Sequence, residues 1–181
     1  GRIKNIDFSE ADKLEGVEKI FTYKDIPGRN QIGGIIEDEP LFTEEEVHFI
    51  GQPIAFVVAK SEIIARKATK LIKVNIEEKE VITDAREAYK KGQLLIPPRT
   101  FKMGDVTSVW SKCDYIFEGK VESGGQEHLY IETQGSYAYP MDNGSIKIHS
   151  STQGATLVQK MAAKVLGLPM HRVEVDVARL G

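Results

Sequence analysis

A stripe of apolar residues at helical spacing constrains this 181-residue chain most: Val158, Met161, Ala162, Val165 and Leu166. Residues three and four apart share one helix face, so the stripe has to be buried against a neighbouring layer. Gly167 and Pro169 stop the helix, and the apolar run 173–177 then reads as a strand. The same pattern occurs earlier in the chain. Ile64, Ala65, Ala68, Leu71 and Ile72 line one face of a helix over 61–72, set between strands over 54–59 and 73–77. Helices laid on strands in this mixed order predict an α+β fold.

The first block runs from residue 1 to 83. It opens on the short strand Ile3-Lys4-Asn5-Ile6, followed by Ser9-Glu10-Ala11-Asp12, a capping-box pattern for a brief helix. A strand over 17–22 precedes a turn-rich passage through Pro27-Gly28 and Gly33-Gly34. Residues 84–103 read as a linker with one short helix, Asp84 and Glu87 in its first turn and Gly92 at its stop. Pro97-Pro98 then forces extended chain. The second block spans 104–181. It predicts a weak helix over 106–112, a strand over 115–122 and another strand after Gly124-Gly125. Asp142-Asn143-Gly144 turns a hairpin between strands 135–139 and 145–150.

Composition excludes several functions. The net charge of −3 gives no global basic field for nucleic acid or an anionic membrane. The longest apolar run, 53–59, is too short to span a bilayer. No secretory leader pattern opens the chain. Cys113 is the one cysteine, so this chain by itself forms no intramolecular disulfide and holds no iron–sulfur cluster. A cytoplasmic location is the expectation, with Cys113 as a small buried hydrophobe. The chain begins without Met and stops just after a strand, which reads as a piece of a longer polypeptide. It carries no phosphate-binding glycine loop and no nucleophile elbow. His48, His128, His149 and His171 lack zinc spacing, leaving no metal ligand set. The run Glu44-Glu45-Glu46 reads as a solvated face or a helix's first turn.

The stretch Ser123-Gly124-Gly125-Gln126-Glu127-His128-Leu129-Tyr130-Ile131-Glu132-Thr133-Gln134 carries the strongest chemical signal. Paired glycines let a backbone approach a bulky group, and the amide of Gln126 both donates and accepts. Alternation would turn Leu129 and Ile131 to one side, and Gln126, His128, Tyr130 and Glu132 to the other. That polar face is either a solvated surface or the wall of a site.

Several segments in order resemble one family: Gly51-Gln52-Pro53-Ile54-Ala55-Phe56-Val57-Val58-Ala59, Gly104-Asp105, the Gly-Gly-Gln stretch, and Ser151-Thr152-Gln153. The chain is similar to the molybdenum hydroxylases, the xanthine dehydrogenases and aldehyde oxidases. The resemblance implies an α/β hammerhead domain over 1–83 and the opening of a mixed α+β molybdopterin-binding domain over 104–181. It implies hydroxylation of an electron-poor carbon of a purine-like heterocycle or aldehyde, with oxygen from water. The molybdopterin-type cofactor would accept two electrons, which pass to iron–sulfur clusters and FAD on other domains or subunits. Gln126 matches the family glutamine that approaches the molybdenum and hydrogen-bonds one of its oxygen ligands. Gly124 and Gly125 would let the backbone come close, and Thr152 and Gln153 lie where the family approaches the pterin. Gly181 matches the first glycine of the following cofactor loop. As a helix cap, Ser151-Thr152-Gln153 has a purely structural explanation too. His128, Tyr130 and Glu132 would support the site by hydrogen bonds or simply be satisfied polar residues of a sheet.

The family's general-base glutamate and most pterin contacts lie beyond residue 181. The isolated chain is therefore expected to be inactive and free of cofactor, with the rest of the molybdopterin-binding subunit as its partner. Two alternatives stay open. One is a scaffold or assembly module without chemistry. The other is a peptidyl-tRNA hydrolase of the release-factor kind, which also carries Gly-Gly-Gln. Glu122 and Glu127 flank the tripeptide here, and no basic or aromatic RNA-binding constellation adjoins it.

Overall fold

In the computed structural model, which describes residues 1–129, 131 and 134–180, both apolar stripes become helices. The chain runs β1 (Arg2–Asp7), α1 (Ser9–Asp12), β2 (Val17–Phe21), β3 (Phe56–Ala59), α2 (Glu62–Leu71) and β4 (Lys73–Glu77). It continues through α3 (Ala85–Lys90), β5 (Ser136–Pro140), β6 (Ile146–Ser150), α4 (Ala155–Leu166) and β7 (Val173–Asp176). One compact unit joins Gly1–Lys79 to Tyr130–Gly181, and the other is Glu80–Leu129. No helix among the described residues is long and apolar enough to cross a membrane.

In the N-terminal part of the first unit, β1 pairs antiparallel with β4, and β2 antiparallel with β3. Ser61 starts α2 by accepting the Ile64 N–H on its hydroxyl at 3.3 Å. The helix then buries Ala68 against Ala11 of α1 and Val57 of β3, with Leu14, Val17, Ile20, Ala65 and Ile72 packed around them. Ala11 and Ala68 are both 0% exposed. Side chains this small let α1 and α2 approach closely, which a larger residue would prevent. Glu44, Glu45 and Glu46 stay outside the core and pair with Asn30, Arg2 and Lys79 at 3.0, 3.3 and 2.6 Å.

The C-terminal part is a three-stranded sheet in the order β5-β6-β7. Asn143 Oδ1 accepts the Ser145 N–H at 2.9 Å and Gly144 takes φ 74°, which closes the antiparallel β5–β6 hairpin. The β6–β7 pairing is parallel, so the chain has to cross over between them, and α4 is that crossover. It lies on the sheet through Val158, Ala162 and Ala163, burying Ala163 with Ile148 and Val173 among Ile146, Leu168 and Val175. Ala163 stands outside the stripe read from the sequence, while Met161, Val165 and Leu166 of that stripe are only partly buried. Gln159 Nε2 donates to the carbonyls of Met170 and Val173 at 3.1 and 2.7 Å, tying α4 to the turn that leads into β7. Gly167 ends the helix at φ 66°, and the Leu168 N–H reaches back to Ala163 O at 2.9 Å.

A loop from the N-terminal part grips the end of α4. The Gly28 and Arg29 N–H groups donate to the carbonyls of Val165 and Lys164, each at 2.9 Å. These carbonyls lie in the last turn, where a helix leaves its acceptors without internal partners. Glu37 accepts from Lys164 and, at 2.6 Å, from Arg29. Those two hydrogen bonds, Lys164's first, hold the Glu37 carboxyl below the ordinary glutamate range.

In the Glu80–Leu129 unit, Asp84 caps α3 by accepting the Arg86 and Glu87 N–H groups at 2.8 and 2.9 Å. Gly92 follows the helix at φ 70°. Lys91 pairs with Glu80 and, at 3.0 Å, with Glu87.

Several expectations differ from what is found. Ser9 forms no capping box: Phe8 is the residue before α1, and Asp7 Oδ1 instead accepts the Ser9 N–H at 2.9 Å. The weak helix expected over 106–112 is a 3₁₀ turn at Thr107–Lys112. Cys113 is exposed rather than buried, its thiol donating to Val109 O at 3.4 Å. Among the described residues the strands expected over 115–122 and after Gly124-Gly125 do not form. Leu129 takes φ 47° and is 84% exposed, and Ile131 is 98% exposed. A strand is held by its ladder with a partner, and no described segment pairs with this one.

Candidate functional site

The residues singled out from the sequence fall on two separate stretches, one in each unit. In the Glu80–Leu129 unit, Gly124, Gly125 and Gln126 are exposed and belong to no helix or strand. Neither glycine has a positive φ, so a strained turn is not what they provide. What they provide is space: a Cβ on either would find nothing within 4 Å. The hydrogen bonds nearby are short-range, the Ser123 hydroxyl donating to Gly124 O and Glu127 accepting the His128 N–H. The Gln126 amide makes no hydrogen bond with a described residue. Tyr130, Glu132 and Gly181 lie outside the described residues.

In the other unit, Thr152 and Gln153 sit where β6 passes into α4. Ser151 anchors the passage, its N–H and hydroxyl donating to Gly135 O at 3.0 and 3.1 Å. In return the Gly135 N–H donates to Ser151 Oγ at 2.8 Å. Thr152 Oγ1 accepts the Gly154 N–H at 3.1 Å, a tight turn formed before the helix begins. The residue that caps α4 is therefore Gly154, which has no side chain to offer, and no side-chain bond caps the first turn. Ser151-Thr152-Gln153 is thus not the helix cap that its composition allows.

An open hollow of about 620 Å³ occupies this end of α4, walled by Gln134, Thr152, Gln153, Gly154, Leu157 and Val158 among others. Its chemistry is neutral: hydroxyls, side-chain amides and the N–H groups of a helix start, which carry partial positive charge. A smaller hollow of about 430 Å³ adjoins it and is walled by Tyr137, His149 and Arg179. There His149 Nδ1 is already engaged by Asp176 at 3.2 Å. The larger hollow is the better binding site: its hydroxyls are engaged within the protein, but the Gln134 and Gln153 amides make no hydrogen bond with a described residue and the first turn of α4 has no side-chain cap. Among the described residues no three His, Cys, Asp or Glu side chains gather to hold a metal.

Reasoning from the sequence missed Gly154, Gln134 and Leu157 as lining residues. The signal was the strand–helix–strand order around α4. A parallel crossover leaves a crevice at the carboxyl end of its first strand, where ligands collect in open α/β sheets.

Residues 88–181 match the family described as molybdopterin cofactor-binding domain, and residues 1–80 the aldehyde oxidase and xanthine dehydrogenase a/b hammerhead domain. The chain is 37% identical to a xanthine dehydrogenase of Dictyostelium discoideum over 179 residues, which are 99% of this chain and 13% of that protein. It is 40% identical to xanthine dehydrogenase 1 of Arabidopsis thaliana over 186 residues, covering 99% of this chain and 14% of that one. The aldehyde oxidoreductase structure from Desulfovibrio gigas superposes with a TM-score of 0.83 at 32% identity, over 97% of this chain and 21% of that one. Quinoline 2-oxidoreductase from Pseudomonas putida 86 superposes at 0.79 and 26% identity, over 97% and 25%. The chain spans about 13% of the length of the curated relatives it matches.

Proposed function

We propose that this chain, which belongs to the molybdenum hydroxylase family of xanthine dehydrogenases and aldehyde oxidases, contributes part of a molybdenum-cofactor site in a larger oxidoreductase. The observation that carries the reading is the hollow at the start of α4, with an uncapped helix N-terminus beside Thr152 and Gln153. A pterin presents amides, ring nitrogens and an anionic phosphate, and this donor set suits it: neutral amides for the ring, helix N–H groups for the anion. The residues present fit the group.

When bound, the molybdenum cofactor supplies oxygen transfer and two-electron uptake. The protein groups bind and orient. Thr152 and Gln153 would hold the pterin portion by hydrogen bonds. Gln126 would donate from its amide to an electron-rich oxygen of the cofactor without adding charge, where a carboxylate would be repelled. The space beside Gly124 and Gly125 supports a close approach there. Substrates would be electron-poor carbons of the kind found in xanthine, aldehydes and quinoline, after which the relatives are named.

The reading extends to the whole protein. Iron–sulfur clusters and FAD would sit on other domains or subunits, and the rest of the molybdopterin-binding region would complete the pocket. The hammerhead domain would cover 1–83, a linker 84–103, and the molybdopterin-binding domain would open at 104. The lone cysteine, Cys113, supports a cytoplasmic setting.

The test is cofactor content and turnover of the full-length protein, made in a host that supplies the cofactor. Near-stoichiometric molybdenum and pterin are expected. Gln126→Ala should lower turnover about 10²-fold while keeping its molybdenum, the scale seen when one catalytic hydrogen-bond donor is lost. Thr152→Val with Gln153→Ala should lower pterin content. A well-folded preparation without molybdenum, from a host that loads other members of the family, would refute the reading. Unchanged turnover in Gln126→Ala would remove that residue from the site.

A further inference from the structure

We propose that Glu37 and Lys164 are positioning residues, which fix α4 lengthwise so that its first turn stands where the cofactor is held. The inference rests on the reading that Thr152 and Gln153 hold the cofactor. Residues 28–37 form a strap along α4. At one end, the Gly28 and Arg29 N–H groups donate to Val165 and Lys164. At the other end, a Cβ on Gly34 would lie 3.9 Å from Leu157 Cδ1, and Leu157 lines the hollow. From Leu157 to Val165 the helix extends about 12 Å.

The strap is braced from within. Asn30 Nδ2 donates to Phe42 O at 2.7 Å, and Asn30 Oδ1 accepts the Phe42 N–H at 2.9 Å. Gln31 Oε1 accepts the Gly33 and Glu39 N–H groups at 2.8 and 2.9 Å, and the Ile32 N–H donates to Glu39 O at 2.8 Å. Glu37 then joins a cation of the strap, Arg29, to a cation of the helix, Lys164. The Lys164 side chain is only 17% exposed, so its ammonium has few places to point.

A helix moves as a rod, so an axial shift at Lys164 reaches Gly154 undiminished. The first turn has no side-chain cap to hold it independently. Glu37 is half exposed and keeps Arg29 as a second partner, so breaking its pair with Lys164 leaves no buried carboxylate unpaired and costs little stability. The effect of breaking this one falls on where the helix start stands, and so on cofactor retention, rather than on melting.

The experiment uses the full-length protein loaded with cofactor. Molybdenum and oxidised-pterin fluorescence remaining with the protein are followed over time after dilution and gel filtration. Lys164→Met and Glu37→Gln should lose cofactor about three- to tenfold faster than the parent, with melting temperature unchanged. Lys164→Arg, which keeps the cation, should retain it at the parental rate. Loss at the parental rate in Lys164→Met and Glu37→Gln, while Gln153→Ala sheds its cofactor, overturns the positioning role and leaves the site reading intact. Equal loss in Lys164→Arg and Lys164→Met, or a fall in melting temperature that tracks the loss, also overturns it. Parental retention in Gln153→Ala overturns both.

Discussion

Val173→Asp should lower the melting temperature by about 6–20 °C, the largest effect expected of any single change in this chain. Val173 is 1% exposed at the start of β7, packed with Ile148 and Ala163 under α4. Its backbone is fixed on two sides, by parallel pairing with Ile146 and by the Gln159 amide that donates to its carbonyl. A carboxylate there would lie among Ile148, Ala163 and the apolar residues under α4, held by a paired backbone that keeps it from swinging out to water. It either stays charged without a partner or takes up a proton, and both cost about 3–5 kcal/mol. Circular dichroism melts of the variant against the parent measure this. A shift under about 2 °C would mean that α4 does not lie on β6 and β7 as described.

The second large effect is at Gly28. Its φ is not positive, so the position needs a glycine for space rather than for conformation. A Cβ would lie 2.5 Å from Gly167 N and 2.8 Å from Val165 O, and it would also meet Lys164 O. All three are backbone atoms at a helix end and have no rotamer by which to yield. Gly28→Ala therefore forces the strap off α4, and the Gly28 and Arg29 hydrogen bonds go with it. A loss of about 2–3 kcal/mol is expected, the upper part of the range for overpacking. Gly124→Ala is the matched control. Nothing stands within 4 Å of its Cβ, so its stability should stay within about 0.5 kcal/mol of the parent. If Gly28→Ala melts with the parent, the strap does not seat on the helix.

Features set by neighbours along the chain were legible in the sequence. The α2 and α4 helices, the Asp142-Asn143-Gly144 turn and the short helix that begins at Asp84 each depend on residues within one or two turns, and each stands where its pattern predicts. Asp84, however, caps its helix rather than joining the first turn, and the buried face of α4 centres on Ala163. Features that depend on a distant partner were not. Alternation from Gln126 to Ile131 looks like a strand, but alternation supplies no ladder, and none forms among the described residues. Cys113 has the apolar character of a core residue, yet it is exposed. Ser151-Thr152-Gln153 resembles a cap because Ser and Thr favour that place, yet Thr152 spends its oxygen on Gly154 and the helix starts one residue later. The strap left no local mark at all: Glu37 and Lys164 are 127 positions apart.

That separation has a consequence in time. A ribosome adds about 5–20 residues per second, so Lys164 follows Glu37 by roughly 6–25 s. Throughout that interval the Gly28 and Arg29 amides and the Glu37 carboxylate lack the helix end that they hold in the finished chain. The strap therefore seats late in synthesis, when α4 arrives to take the two amides of Gly28 and Arg29.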